Sequence, residues 1–251
     1  MSKKGRQASE RIKAMQAQQA AAERRRRALV IGVIVAVVIA AVVGIGVAVQ
    51  SNRNETTSGA APAGVTADNG ILRGKDSAPV SVVVYEDFQC PVCKAFEENV
   101  GAMLTDKIDQ GVVQLEYRPI AFLDRASTTK YSSRALATAA CALEDGGPDV
   151  FHKLHDLLFA NQPEEGSDGL PDSKLADLAA EAGADKASVE SCQEAGTFDG
   201  WVAKVTDQAS KDGISGTPTY FVDGDKVTFT NGEDPKVTLG NLIDQAASSD
   251  Q

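Results

Sequence analysis

Beyond its first 27 residues this 251-residue chain has little positive charge, with 16 Lys and Arg against 33 Asp and Glu, a net of −17. So acidic a body argues against nucleic acid and other polyanions as partners. Histidine is scarcer still, with two residues, and cysteine is limited to four. No internal repeat is visible. The chain is nonetheless 43% hydrophobic, enough to bury a sizeable core in one or two domains.

Charge of either sign is missing from residues 28–49, "ALVIGVIVAVVIAAVVGIGVAV". As a helix this run would reach about 33 Å, enough to cross a bilayer's hydrocarbon core. A cleavable signal peptide has a shorter apolar stretch, about 7–15 residues, ending in a small-residue cleavage site. "VAVQS" is a poor site of that kind, so an uncleaved, single-pass transmembrane helix is expected. Residues 1–27 hold nine Lys and Arg and two Glu, and four of the arginines abut the apolar run. Positive flanks stay in the cytoplasm, so the N-terminus is expected there and the rest of the chain outside the cell membrane. The basic head then reads as a topology signal and a contact for anionic lipid. Residues 50–69 are polar, small and aperiodic, which predicts a flexible tether.

From about residue 70 the composition becomes globular. "PVSVVVYEDF" is β-branched and aromatic without alternation, as in a strand covered on both faces. "KAFEENVGAMLTDKI" spaces Phe96, Val100, Met103, Leu104 and Ile108 along one helical face. "GVVQLEYRPI" reads as a second strand, and a helix-rich block follows over about 127–212. The chain returns to strand in "TPTYFVDGDKVTF", where Asp223-Gly224 signals a hairpin turn. A last helix is expected near 234–247, and 248–251 form a short tail. Strand, helix, strand, helical block, hairpin and helix suit an α/β sheet carrying a helical insertion.

Between the first strand and its helix stands "YEDFQCPVCKAFEE". The start of a helix presents unpaired N–H groups that lower a thiol's pKa. Cys90 stands at that point, Pro91 suits the first turn, and Cys93 follows one turn on. The arrangement makes Cys90 an exposed nucleophile and Cys93 its resolving partner. Cys90 and Cys93 with His152 and His155 give a superficial zinc set, but the intervening 58 residues are too many for a usual clip. Both histidines lie off the Phe151, Leu154, Leu158 face and read as solvent-edge residues, so no metal is expected. Four cysteines allow three pairings. If Cys90 pairs with Cys93, Cys141 and Cys192 either join in a structural disulfide, the preferred reading outside a membrane, or stay as free thiols.

With "SAPVSVVVYEDFQCPVCKAFEE" near its start and "GISGTPTYFVDG" near its end, the stretch 70–247 resembles the DsbA-like thiol–disulfide oxidoreductases of the thioredoxin superfamily. The anchor, the acidic composition and the second cysteine pair resemble actinobacterial members. The resemblance implies a thioredoxin-like α/β fold with a helical insertion, and a redox disulfide at Cys90 and Cys93 around Pro91 and Val92. It implies a cis bond before Pro218, facing that pair, and substrate binding by the backbone at Thr217 and Pro218. It implies no dissociable cofactor, exported cysteine-containing proteins as substrates, and reoxidation by a quinone-linked membrane enzyme of the DsbB or vitamin K epoxide reductase-like kind.

Two features typical of the strongly oxidising relatives are missing. Val92 stands where they often carry histidine, and Val84 where they commonly carry a buried acid. Glu86, of the same strand parity, is a candidate proton relay in its place; its plainer reading is a solvated carboxylate at the strand end. The leading expectation is therefore a membrane-tethered thiol oxidase for exported proteins. The rivals are a reductase or isomerase, for example in cytochrome c maturation, and a tethered binding or chaperone-like domain without turnover.

Overall fold

The run "VSVVVYE" forms the central strand of the sheet. In the computed structural model, which describes residues 59–230 and 232–249, this strand is β2 (Val80–Glu86), with Val80, Val82 and Val84 buried. It follows β1 (Ile71–Arg73) and precedes helix α1 (Pro91–Asp109) and β3 (Val113–Pro119). Strands β2 and β3 run parallel in the register Val82 to Leu115, with α1 as the crossover that parallel neighbours require. After the helical block come β4 (Thr219–Val222), β5 (Asp225–Lys226) and the closing helix α7 (Pro235–Ser249). The sheet order is β1-β3-β2-β4-β5, antiparallel at every pair except β2–β3. Asp223 and Gly224 turn the β4–β5 hairpin with φ of 49° and 87°, the left-handed values that an Asp-Gly turn favours.

The insertion between β3 and β4 holds five helices: α2 (Tyr131–Gly146), α3 (Pro148–Ala160), α4 (Asp172–Ala182), α5 (Lys186–Glu194) and α6 (Asp199–Lys211). Helix α2 lies at its centre. Its run from Ala135 to Leu143 is buried throughout and rich in alanine, which lets neighbouring helices approach closely. Cys141 on α2 and Cys192 on α5 are joined by a disulfide, as expected.

The expected tether ends earlier than residue 69. Val65 bridges to Ile71, and Thr66 donates from its hydroxyl to Glu116 at 2.6 Å. The buried Trp201 indole donates to Asn69 Oδ1 at 3.0 Å. Small and polar residues here serve as hydrogen-bonding edge segments rather than as free chain. The expected transmembrane helix, residues 28–49, lies outside the described residues. Among the described residues no helix is long and apolar enough to cross a membrane.

Candidate active site at the start of helix α1

Where β2 ends, the chain turns through Asp87, Phe88 and Gln89 before α1 begins. Asp87 organises this corner. Its Oδ1 accepts from the Gln89 N–H at 2.9 Å and the Ser132 hydroxyl at 2.6 Å, and its Oδ2 from the Leu123 N–H at 2.9 Å. Burial pushes the Asp87 carboxyl above its ordinary range against these bonds. The insertion grips the corner from the other side. Gln162 Nε2 donates to the carbonyls of Phe88 and Cys90, at 3.1 and 2.9 Å, and Gln89 Nε2 donates to those of Glu164 and Ser167.

Cys90 is the N-cap of α1, with φ −78° and ψ 115°, and Pro91 opens the helix. The Cys90 Sγ accepts from the Cys93 N–H at 3.4 Å. It also lies 3.4 Å from the Thr217 carbonyl oxygen, to which its thiol donates. The Cys93 thiol is the main cause that lowers the Cys90 pKa to about 6. Burial opposes it, while Thr217 and the N–H groups of Cys93 and Val92 add to the lowering. Cys93 moves the other way, pushed far up by burial and then by the adjacent Cys90. Both cysteines are free thiols in this structure.

Cys90 is less open than expected, at 6% exposed against 1% for Cys93. The loop carrying Thr217 lies against its sulfur, a cover that no local sequence pattern announces. The surface around it consists of Pro91, the half-exposed Val92, Gly216 and the partly exposed Thr217 and Pro218. The Thr217–Pro218 peptide is cis, as the resemblance implied.

The histidines require correction. His152 and His155 are both buried, at 9% and 1% exposure. They turn from solvent because β1, β3 and α1 cover the side of α3 that faces the sheet. Burial pulls the His152 pKa down to about 4, with Arg73 and His155 adding. Glu86 is not solvated either; it is 1% exposed, with Oε1 lying 2.8 Å from His155 Nε2. Val84 is a buried core residue. Glu97, one turn beyond Cys93 on α1, completes the group by accepting from the Tyr220 hydroxyl at 3.2 Å. One ligand atom from each of Glu86, Glu97 and His155 falls within 4.8 Å of the others. The periodicity of α1 gave no sign of Glu97, because it lies off the Val100, Leu104, Ile108 stripe. Asp87 and Tyr220 lie within the two quoted motif stretches but are not singled out by them, and Gln162 carries no local motif.

A family model described as Thioredoxin matches residues 66–244. The chain is 34% identical over 172 residues to disulfide bond formation protein D of Bacillus subtilis, covering 66% of this chain and 73% of that protein. It is 34% identical to part of the Na(+)/H(+) antiporter NhaA 3 of Salinispora tropica, over 64% of this chain but only 22% of the antiporter. Among solved structures, the reduced form of the disulfide bond oxidoreductase DsbG from Mycobacterium tuberculosis aligns with a TM-score of 0.61 and 29% identity. That alignment covers 74% of this chain and 95% of the other.

Proposed function

The chain belongs to the thioredoxin family, and from that premise we propose that it is a thiol–disulfide oxidoreductase, tethered to the membrane by residues 28–49, that introduces disulfides into exported proteins. The names of the relatives in Bacillus subtilis and Mycobacterium tuberculosis support this class of activity. The observation that carries the reading is the asymmetry of the CPVC pair. Cys90 is held toward the thiolate at the start of α1, and Cys93 toward the thiol behind it.

The cycle starts from the Cys90–Cys93 disulfide. A substrate thiolate attacks the Cys90 Sγ; the S–S bond breaks, a mixed disulfide forms, and Cys93 leaves with the electron pair and takes up a proton. A second substrate thiolate then attacks the substrate's own sulfur in the mixed disulfide, and Cys90 departs as thiolate. Two electrons have passed from substrate to the CPVC pair, and the substrate carries a new disulfide. A low-pKa thiol is a good leaving group, which favours release of Cys90. Proton retention by Cys93 slows its return attack, so the mixed disulfide survives for the substrate's second thiol. Both effects favour oxidation of the client.

The Thr217–Pro218 backbone pairs with an extended client segment in this reading, supported by its partial exposure and by the Thr217 carbonyl lying 3.4 Å from the Cys90 sulfur. The reduced pair then passes its electrons to a quinone-linked membrane enzyme, of the DsbB or vitamin K epoxide reductase-like kind, in the cell membrane that holds the anchor.

The test is the equilibrium of the Cys90–Cys93 couple against glutathione. A potential well above that of thioredoxin, about −270 mV, is expected; a value near it turns the assignment to a reductase. In cells, Cys93→Ala is expected to accumulate mixed disulfides with exported proteins, and Cys90→Ala to trap none. Activity undiminished by Cys90→Ala would instead identify a binding domain without turnover.

A further inference from the structure

Beneath the CPVC corner lies a polar group that the exchange of disulfides does not use. Glu86 ends β2, Glu97 projects from α1, and His155 stands on α3. Three separate elements thus deliver two carboxylates and an imidazole to one point, with ligand atoms all within 4.8 Å. His155 Nε2 and Glu86 Oε1 are 2.8 Å apart, yet both Glu86 oxygens and His155 Nε2 are buried without a hydrogen-bond partner. An imidazole N–H satisfied by a carboxylate points at it. The 2.8 Å approach of His155 Nε2 to Glu86 Oε1 falls outside hydrogen-bond geometry, so these atoms are open to a third group between them, as ligand atoms are around a cation. Buried polar atoms left unpartnered in this way call for an explanation.

The surroundings have the form of a second coordination shell. His155 Nδ1 lies 3.0 Å from Asp156 Oδ1; a proton held there leaves Nε2 with a free lone pair. A carboxylate on the far nitrogen is the usual orienting partner of a metal-bound histidine. The Tyr220 hydroxyl fixes Glu97 Oε1. A pocket of about 370 Å³, lined by Glu97, Tyr117, His155 and Asp156 among others, gives entry and leaves room for a water ligand. Charge points the same way. Among the described residues no Lys or Arg lies within salt-bridge distance of Glu86 or Glu97.

We propose that Glu86, Glu97 and His155 form a binding site for a first-row divalent metal ion, with zinc as the resident ion and water completing the coordination. One nitrogen and two carboxylate oxygens with an open fourth position suit zinc, and exclude the oxygen-rich shell that calcium takes. This ligand set differs from the CPVC–histidine clip considered from the sequence, since it uses no sulfur. The ion ties β2, α1 and α3 together behind the redox pair, in whichever direction that pair carries electrons.

The experiment uses the full chain in mild detergent, stripped with chelator and with the CPVC pair oxidised, so that no free thiolate competes. Titration with zinc is followed by calorimetry and thermal unfolding, and cobalt provides a visible spectrum of its coordination. About one ion per chain is expected, with a rise in Tm on binding and a cobalt spectrum of low coordination number. Glu97→Gln and His155→Gln are each expected to weaken zinc at least about tenfold and to abolish the Tm rise, while Glu98→Gln on the neighbouring exposed position leaves both unchanged. If His155→Gln does not fold, the comparison of Glu97→Gln with Glu98→Gln decides. Absence of saturable binding, or equal binding in Glu97→Gln and the parent, overturns the site. A group that serves only as a proton relay, the candidate role of Glu86, gives the first of those results.

Discussion

Cys90 combines two facts that usually oppose each other, near-complete burial and a thiol pKa lowered to about 6. Desolvation alone would raise it, so the hydrogen bond from the Cys93 thiol, with Thr217 and the helix N-terminus behind it, must outweigh the cost. Alkylation of the reduced protein by iodoacetamide is therefore expected to follow a titration with a midpoint near pH 6, attributable to Cys90 because Cys93→Ala still reacts. A midpoint above about 8 would place the thiol in its ordinary range. The same shift carries a sign for stability. The folded reduced state has the lower pKa, and an unfolded thiol titrates near about 8.5. The extra stability is thus full above about pH 8.5, declines as pH falls, and is gone below about 6. At about 1.4 kcal/mol per pKa unit it amounts to roughly 3 kcal/mol. Denaturant unfolding of reduced against oxidised protein across pH 5–8 is expected to show the reduced form gaining most of that amount; above about pH 8.5 Cys93, whose folded pKa is pushed far up, works in the opposite direction. The helix-start position and spacing of the pair were legible from "CPVC" itself. The closeness of Thr217, 127 residues on, was legible only through the family resemblance, because nothing local encodes a contact between two loops.

The elements were the most legible level, since hydrophobic period and turn chemistry are local. The Val80–Glu86 strand, the Val100, Leu104, Ile108 stripe of α1 and the Asp223-Gly224 hairpin all match their patterns. The strand at Ile71–Arg73 has no signature in the sequence; three residues carry too short a period, and it exists because it pairs with β3. A single-helix projection puts His152 and His155 on the solvent edge, because it carries no information on what packs on the other side. Asp87 tests how far the joint between sheet and insertion depends on one side chain. It accepts from Gln89, Leu123 and Ser132, which belong to the corner, the 3-10 turn Phe122–Arg125 and α2. Asp87→Ala leaves these buried donors unpaired, at about 1–3 kcal/mol each. A loss of at least about 3 kcal/mol in denaturant unfolding is expected, with the Cys90 titration displaced because the corner no longer holds its shape. A loss under about 1 kcal/mol would show that other groups or water replace the carboxylate.

At the scale of the whole molecule two devices stand apart from the redox corner. Cys141–Cys192 closes a sequence separation of 51 between α2 and α5. In the chain-entropy account a loop of that size contributes about 4 kcal/mol. Cys141→Ala with Cys192→Ala is thus expected to lower Tm by roughly 10 °C while leaving the Cys90 titration in place. An unchanged Tm would mean that helix packing alone sets the insertion's stability. The second device is the division of charge, +7 over residues 1–27 and −17 after them, on either side of an uncharged 22-residue run. If that run spans the membrane in the proposed sense, the two ends meet different solvents. A chain with Cys90→Ala and Cys93→Ala offers a clean background for single reporters. Asp225→Cys, on the exposed β5, is expected to react with a membrane-impermeant maleimide in intact cells. Ser2→Cys is expected to react only after the membrane is permeabilised. Labelling of Ser2→Cys with protection of Asp225→Cys reverses the topology, and equal labelling of both before permeabilisation removes the membrane crossing; the first also takes away the supply of exported thiols on which an oxidase at this corner depends.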